Sequence, residues 1–190
     1  MSEARQTARM TYPEYLVMER TSEVKHEYVN GEVYAMAGGT PEHGRLAVAF
    51  AAVLRNALTG KPCVLYNSDV RVRVEATGRS TYPDLSVVCG RLERASDDPD
   101  AIANPSVIVG VLSESTEASD RGDKFAHYRR LASLREYVLV SQSTPRIEVF
   151  HRADSGAWML TEAASGQHAT LESLGISLAV DDVYYDPLAS

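Results

Sequence analysis

The sequence predicts an α/β (α+β) fold: a mixed β-sheet flanked by helices, with an N-terminal helix and hairpin. Three observations carry this expectation. Asn30-Gly31 lies between the alternating residues Tyr28-Val29 and Val33-Tyr34, the strongest short-range sign of a hairpin. Leu46, Phe50, Val53, Leu54, Ala57 and Leu58 recur at helical spacing behind Thr40-Pro41-Glu42, which marks a capped amphipathic helix. Val107-Ile108-Val109-Gly110-Val111-Leu112 is nearly all apolar, as a strand covered on both faces must be.

Taken in order, Thr11-Tyr12-Pro13-Glu14 is a capping box with proline early in the first turn, so a short helix should run to about Arg20. The Asn30-Gly31 hairpin follows, then the long helix, which Gly60 and Pro62 end. Cys63 to Tyr66, Val70 to Val74 and Asp84 to Cys89 read as strands separated by Asn67-Ser68-Asp69 and Gly78-Arg79-Ser80, so the middle of the chain should be sheet. Arg94 to Asn104, with Asp97, Asp98 and Asp100 around Pro99, reads as a solvated loop. The strand from Val107 to Leu112 should be central. A helix is expected from about Asp120 to Ala132, then strands at Glu136 to Val140 and Ile147 to His151, and two weaker ones near Trp158 to Glu162 and His168 to Leu171. We expect residues 1–10 to be a flexible N-terminus, 11–184 a single domain and 185–190 a tail.

The chain has 190 residues, 44% apolar and 24% charged, with a formal charge of −7. Those proportions support a proper core. The negative charge disfavours tight nonspecific nucleic-acid binding, but a cluster of metal-binding carboxylates is acidic in its own right, so a nuclease stays open. Cys63 and Cys89 stand in separate strand-like segments without a CxxC or a zinc spacing, and are expected as buried thiols. There is no apolar leader and no run of about 18 apolar residues, so no membrane span and a cytoplasmic location are expected.

Asp84 follows Pro83 at the start of a strand, on the same side as Ser86 and Val88. A carboxylate there is well placed to hold a hard cation, although the dipeptide taken alone reads first as a turn cap. The segment that follows strengthens the case: a buried strand, then Leu112-Ser113-Glu114-Ser115-Thr116, then Asp120-Arg121-Gly122-Asp123-Lys124-Phe125 entering a helix. Lys124 shares a helical stripe with Tyr128 and Leu131, from which its ammonium reaches inward over the sheet. Asp120 and Asp123 read as helix caps.

These residues carry a resemblance. Glu27-Tyr28-Val29-Asn30-Gly31-Glu32, Ser68 to Arg73, Tyr82-Pro83-Asp84, Val111 to Thr116, Asp120 to Phe125 and Ser133 to Tyr137 resemble, in the same order, the motifs of the Uma-type family of putative restriction endonucleases, within the PD-(D/E)XK nuclease superfamily. The resemblance spans roughly Tyr12 to Asp182. It implies a restriction-endonuclease-like sheet, DNA as substrate, hydrolysis dependent on Mg²⁺ or Mn²⁺, and a homodimer. Asp84 would be the metal-binding aspartate. Lys124 would stand for the family's lysine displaced onto the next helix, where it orients or activates the attacking water and offsets charge on the phosphate.

One departure bears on activity. The family has Glu where this chain has Gly110, and Pro where it has Glu114, so the second acidic ligand is missing from its usual place. Three explanations compete. Glu114 has taken over as a metal ligand, although four residues along a straight strand is roughly 13 Å, so a bend at Ser113 is needed. Alternatively, Glu32 or Asp69 completes the site from neighbouring elements. Or the site is degraded and the chain is a catalytically inactive nuclease-fold protein serving as a binding or assembly module. His43, in the first turn of the long helix, reads as a partly exposed helix-terminal histidine, and the family's frequent histidine there adds a role near the phosphate. Arg71 and Arg73 alternate with Val70, Val72 and Val74, giving a basic face that suits either a phosphate backbone or plain solvent. No Gly-x-Ser-x-Gly, Walker or Rossmann pattern is present.

Overall fold

Thr11 caps the first helix, α1 (Tyr12–Thr21), with the expected capping box: its hydroxyl meets the Glu14 N–H and the Glu14 carboxylate reaches back to the Thr11 N–H. The structure is a computed structural model and describes residues 9–114 and 116–188. The expected flexible N-terminus falls outside those residues except for residues 9 and 10, as do Ser115 and the last two residues of the expected tail. After α1 come β1 (His26–Val29) and β2 (Glu32–Ala35). Asn30 and Gly31 both take positive φ at the turn, as a tight two-residue hairpin requires. Thr40 then caps α2 (Pro41–Ala57) through the His43 N–H.

The strands that follow are β3 (Cys63–Asn67), β4 (Arg71–Val74), β5 (Arg79–Thr81), β6 (Leu85–Cys89), β7 (Arg94–Ala95), β8 (Asp98–Ile102) and β9 (Val107–Val111). They divide between two sheets. One is ordered β2-β1-β5-β4-β8-β7; the other, completed by β10 (Glu136–Val140), β11 (Arg146–Arg152) and β12 (Trp158–Ala164), is ordered β12-β11-β10-β9-β6-β3. In the second sheet β9 is central as expected, antiparallel to β6 and parallel to β10. The connection from β9 to β10 is helical, as a parallel pair requires. It comprises α3 (Glu117–Ser119), a π-helical turn (Asp120–Lys124) and α4 (Phe125–Tyr128). It starts earlier and ends earlier than the sequence suggested, because the backbone turns out of the helix after Tyr128. A third pairing, β13 (His168–Leu171) with β14 (Ile176–Ala179), leads into α5 (Val180–Tyr184); β5, β14 and α5 were not anticipated.

At the centre of the second sheet, in β6, β9 and β10, both faces are buried. Leu46, Phe50 and Leu54 of α2 pack on Val87, Val107, Val109 and Val138, together with the C-terminal hairpin and α5. On the opposite face Ile108, Leu139 and Tyr137 meet Tyr128, Leu131 and Leu134, and beyond them Val72, Val74 and Ile102 of the first sheet. A smaller cluster of Tyr12, Tyr15, Leu16 and Tyr28 seats α1 on the hairpin.

Two expectations are corrected. The acidic segment Arg94 to Asn104 is the β7-β8 hairpin, not a solvated loop. Asp98 in it is fully buried, bonded by the Arg71 guanidinium at 2.9 and 3.1 Å and by the Tyr12 hydroxyl at 2.9 Å, and that pairing is what lets a polar segment enter the sheet. Cys63 and Cys89 are cross-strand neighbours on β3 and β6 and are joined in a disulfide, not free thiols. Strand register, which the spacing of the cysteines does not reveal, brings them opposite one another.

Candidate active site

Strand alternation sends Ile108 and Gly110 of β9 to the face opposite α2, and Asp84 approaches that side from the bend before β6. There the sheet, the β1-β2 hairpin, the segment leading into α2 and the π-helical turn enclose a cavity of about 600 Å³, whose wall includes Glu27, His43, Asp84, Gly110, Asp120 and Lys124. The small residues Ala35, Ala37, Gly38 and Gly39 also line it.

Asp84 is held on both oxygens. The Val111 N–H donates to Oδ2 at 2.7 Å, and His43 Nε2 lies 3.3 Å from Oδ1. That hydrogen bond, and the nearby Asp84 charge, raise the His43 pKa above the ordinary histidine value against the opposing effect of burial. His43 is brought there by the first turn of α2, whose Thr40 cap fixes its backbone.

Lys124 reaches inward from the end of the π-helical turn. Its ammonium lies 3.1 Å from Asp120 Oδ1 and 3.3 Å from Glu27 Oε1. Burial works against the charged amine, but Tyr128, Glu27 and Asp120 outweigh it and hold the Lys124 pKa above the ordinary lysine value. Glu27 also faces the Arg79 guanidinium at 3.2 Å, and Arg79 in turn binds Asp123. Asp120 and Asp123 are therefore not helix caps: neither makes a side-chain cap bond, and each pairs with a cation instead. The helical run begins at Glu117, so both lie inside it and not at its start; the π-helical turn that carries them is of a kind that concentrates at functional sites. Tyr137 donates its hydroxyl hydrogen bond to the Asp120 carbonyl at 3.2 Å, while Tyr128, whose phenol is pushed up to about 12 by burial, shares a 2.6 Å bond with Thr81.

Gly110 has no positive φ. A Cβ added there would meet Leu139 Cδ2 at 3.5 Å and the Tyr137 hydroxyl at 3.7 Å, both ordinary contacts. Packing therefore does not require glycine at 110.

The structure brings Asp84, Gly110, Lys124 and His43 to one cavity wall. The other sequence candidates stand elsewhere. Glu114 is exposed in the turn after β9 and does not line the cavity. Glu32 is exposed and accepts a hydrogen bond from Tyr34. Asp69 is paired with Lys25 on the surface at 2.6 Å. Arg71 and Arg73 are not an outward basic face: Arg71 pairs with Asp98, while Arg73 pairs with Asp97 at 2.8 Å and lies 3.6 Å over the Tyr12 ring.

Glu27 and Asp120 are the site residues that the sequence reading passed over. Signals for both existed. The Asn30-Gly31 turn fixes Glu27 opposite Tyr34 and on the other face from Tyr28, and Asp120 stands at i,i+4 spacing from Lys124.

A resident hard cation calls for several oxygen donors converging on one point. Among the described residues no three His, Cys, Asp or Glu side chains are grouped to hold a metal. Asp84 already has protein partners on both oxygens, and Glu27 and Asp120 are turned to Lys124. The residues present do not fit the near-octahedral oxygen shell that Mg²⁺ demands.

Residues 12–181 match the model of the Uma2 family, described as "Putative restriction endonuclease". Two curated relatives come from Synechocystis sp. (strain ATCC 27184 / PCC 6803 / Kazusa). The uncharacterized protein slr1290 is 39% identical over 171 residues, covering 90% of this chain and 89% of its own. The uncharacterized protein sll1609 is 31% identical over 163 residues, covering 86% and 92%. Among solved structures, a crystal structure of a putative nuclease belonging to DUF820 from Anabaena variabilis ATCC 29413 superposes with a TM-score of 0.75 at 15% identity. It covers 92% of this chain and 97% of that one, and so shows the fold.

Proposed function

Because this chain belongs to the Uma2 family, we propose that its cavity is a phosphodiester-cleavage site of the nuclease type, directed at DNA, whose hydrolytic step is strongly weakened at Gly110. The observation that carries the reading is the geometry at residue 110: an open position on the cavity wall, free of packing demands, on the same wall as Asp84 and Lys124. The electrostatics support it. Glu27, Asp84, Asp120 and Asp123 face the cavity against Arg79 and Lys124, so a phosphodiester anion meets excess negative charge there unless a cation offsets it. A carboxylate at 110 would supply the second oxygen ligand that a hard cation requires; Asp84 alone does not. The reading includes a homodimer, so that two cavities address the two strands of a duplex.

The test compares the chain with its Gly110→Glu variant, measuring Mg²⁺ and Mn²⁺ binding by calorimetry and the cleavage of plasmid DNA. The variant is expected to bind the cation and cut DNA at least tenfold better, a difference of about 1.4 kcal/mol in each free energy. Equal activity of the two proteins would refute a weakened site. A second reading, a non-catalytic binding or assembly module on the same fold, is favoured by the protein partners already held by both Asp84 oxygens. It predicts no Mg²⁺ or Mn²⁺ thermal shift and no cleavage in either protein.

A further inference from the structure

We infer that Glu27 and Asp120 are positioning residues that cradle the Lys124 ammonium between two separate elements and fix it as a permanent positive charge on the cavity wall. As a statement about phosphodiester chemistry this rests on the function proposed above; as a statement about the amine it stands alone.

The two carboxylates come from unrelated parts of the chain. Glu27 projects from the middle of β1, and Asp120 from the first position of the π-helical turn that ends on Lys124. Both converge on one nitrogen at 3.3 and 3.1 Å. The side chains are largely withdrawn from water: 12% of Glu27, 7% of Asp120 and 19% of Lys124 is exposed. Apolar side chains would serve the packing of a helix on a hairpin as well or better, because desolvating ions costs more than their attraction commonly returns. Buried lysines tend to lose their proton and become amine bases. The cradle opposes that tendency.

The surrounding pairs isolate the arrangement. Arg79 is shared between Glu27 and Asp123, and Arg121 is engaged by Glu117 and Glu148. Asp120 is thereby left to Lys124, with its carbonyl held by Tyr137. A proton acceptor for water works best with a pKa near the working pH. An ammonium between two carboxylates is far from that condition. Lys124 is thus suited to orienting water and offsetting phosphate charge and unsuited to removing a proton from water.

The experiment is lysine-resolved acetylation of the intact chain with an activated acetate ester, read by mass spectrometry across a pH series. Lys25 and Lys61, the other two lysines, are internal references. Lys124 should label at least tenfold more slowly than Lys25. Glu27→Gln and Asp120→Asn should each speed Lys124 at least tenfold and move its labelling profile to lower pH, with Lys25 and Lys61 unchanged. Asp120→Glu, which keeps the charge, should preserve slow labelling. Unchanged Lys124 labelling in both amide variants would overturn the inference, as would an equal rise at all three lysines. Should Glu27→Gln fail to fold, the Asp120→Asn arm decides, since among the described residues that carboxylate's one ion pair is with Lys124. None of these readings depends on DNA cleavage, so failure here is distinct from failure of the nuclease reading.

Discussion

Replacing Gly110 with alanine separates what the fold needs at this position from what the chemistry needs. Glycine inside a strand is unfavourable relative to alanine by about 0.5–1 kcal/mol, because the unfolded chain gains more freedom and the strand has no side chain to pack. At Gly110 nothing offsets that cost. The backbone is not in the left-handed region, and the nearest atoms to an added Cβ are 3.5 and 3.7 Å away. Gly110→Ala should therefore stabilise the protein by about 0.5–1 kcal/mol, and since roughly 2–4 °C accompanies each kcal/mol in a chain of this size, the melting temperature should rise by about 1–4 °C. Thermal melts followed by circular dichroism, with urea unfolding in parallel, measure both quantities. A loss of more than about 1 kcal/mol would refute the reasoning. It would mean that the space at Gly110 is closed in solution and that glycine is kept for packing.

Two other changes test placements that the tertiary structure assigned. Asp98→Ala leaves Arg71 buried without its carboxylate partner and should cost about 3–5 kcal/mol in urea unfolding; a loss under about 1 kcal/mol would make the pair surface-like and return Arg71 to a phosphate-contacting role. For His43, the folded pKa lies above the unfolded one, so its contribution is fully present below about pH 6.5 and is lost as pH rises through the folded value. The stability gap between the protein and His43→Gln should accordingly be wider at about pH 5.5 than at about pH 8.5, and an equal or reversed gap would show that the pair with Asp84 does not form.

Much of this protein was determined by local sequence. The capping box at Thr11, the Asn30-Gly31 hairpin, the α2 stripe and the run from Val107 to Val111 each encode an element through short-range physics, namely capping, positive φ and the spacing of apolar residues. The family resemblance, carried by motif order, marked Asp84, Gly110 and Lys124, while strand alternation and helical spacing put the Asp84 and Lys124 side chains on definite faces. What the sequence left open was every choice of partner. Arg71 and Arg73 on an alternating strand look the same whether they face solvent or a buried aspartate, and Asp98 in a polar run carries no mark of burial. Asp120 reads as a cap until the structure shows the helical run beginning three residues earlier, at Glu117. Glu27 was legible as an acid in a hairpin, but not as the partner of a lysine nearly a hundred residues away. Pairing of this kind depends on how the two sheets and the connecting helix close on one another. Distance along the chain says nothing about it, so only the assembled structure showed which carboxylates guard Lys124 and which position, Gly110, contributes none.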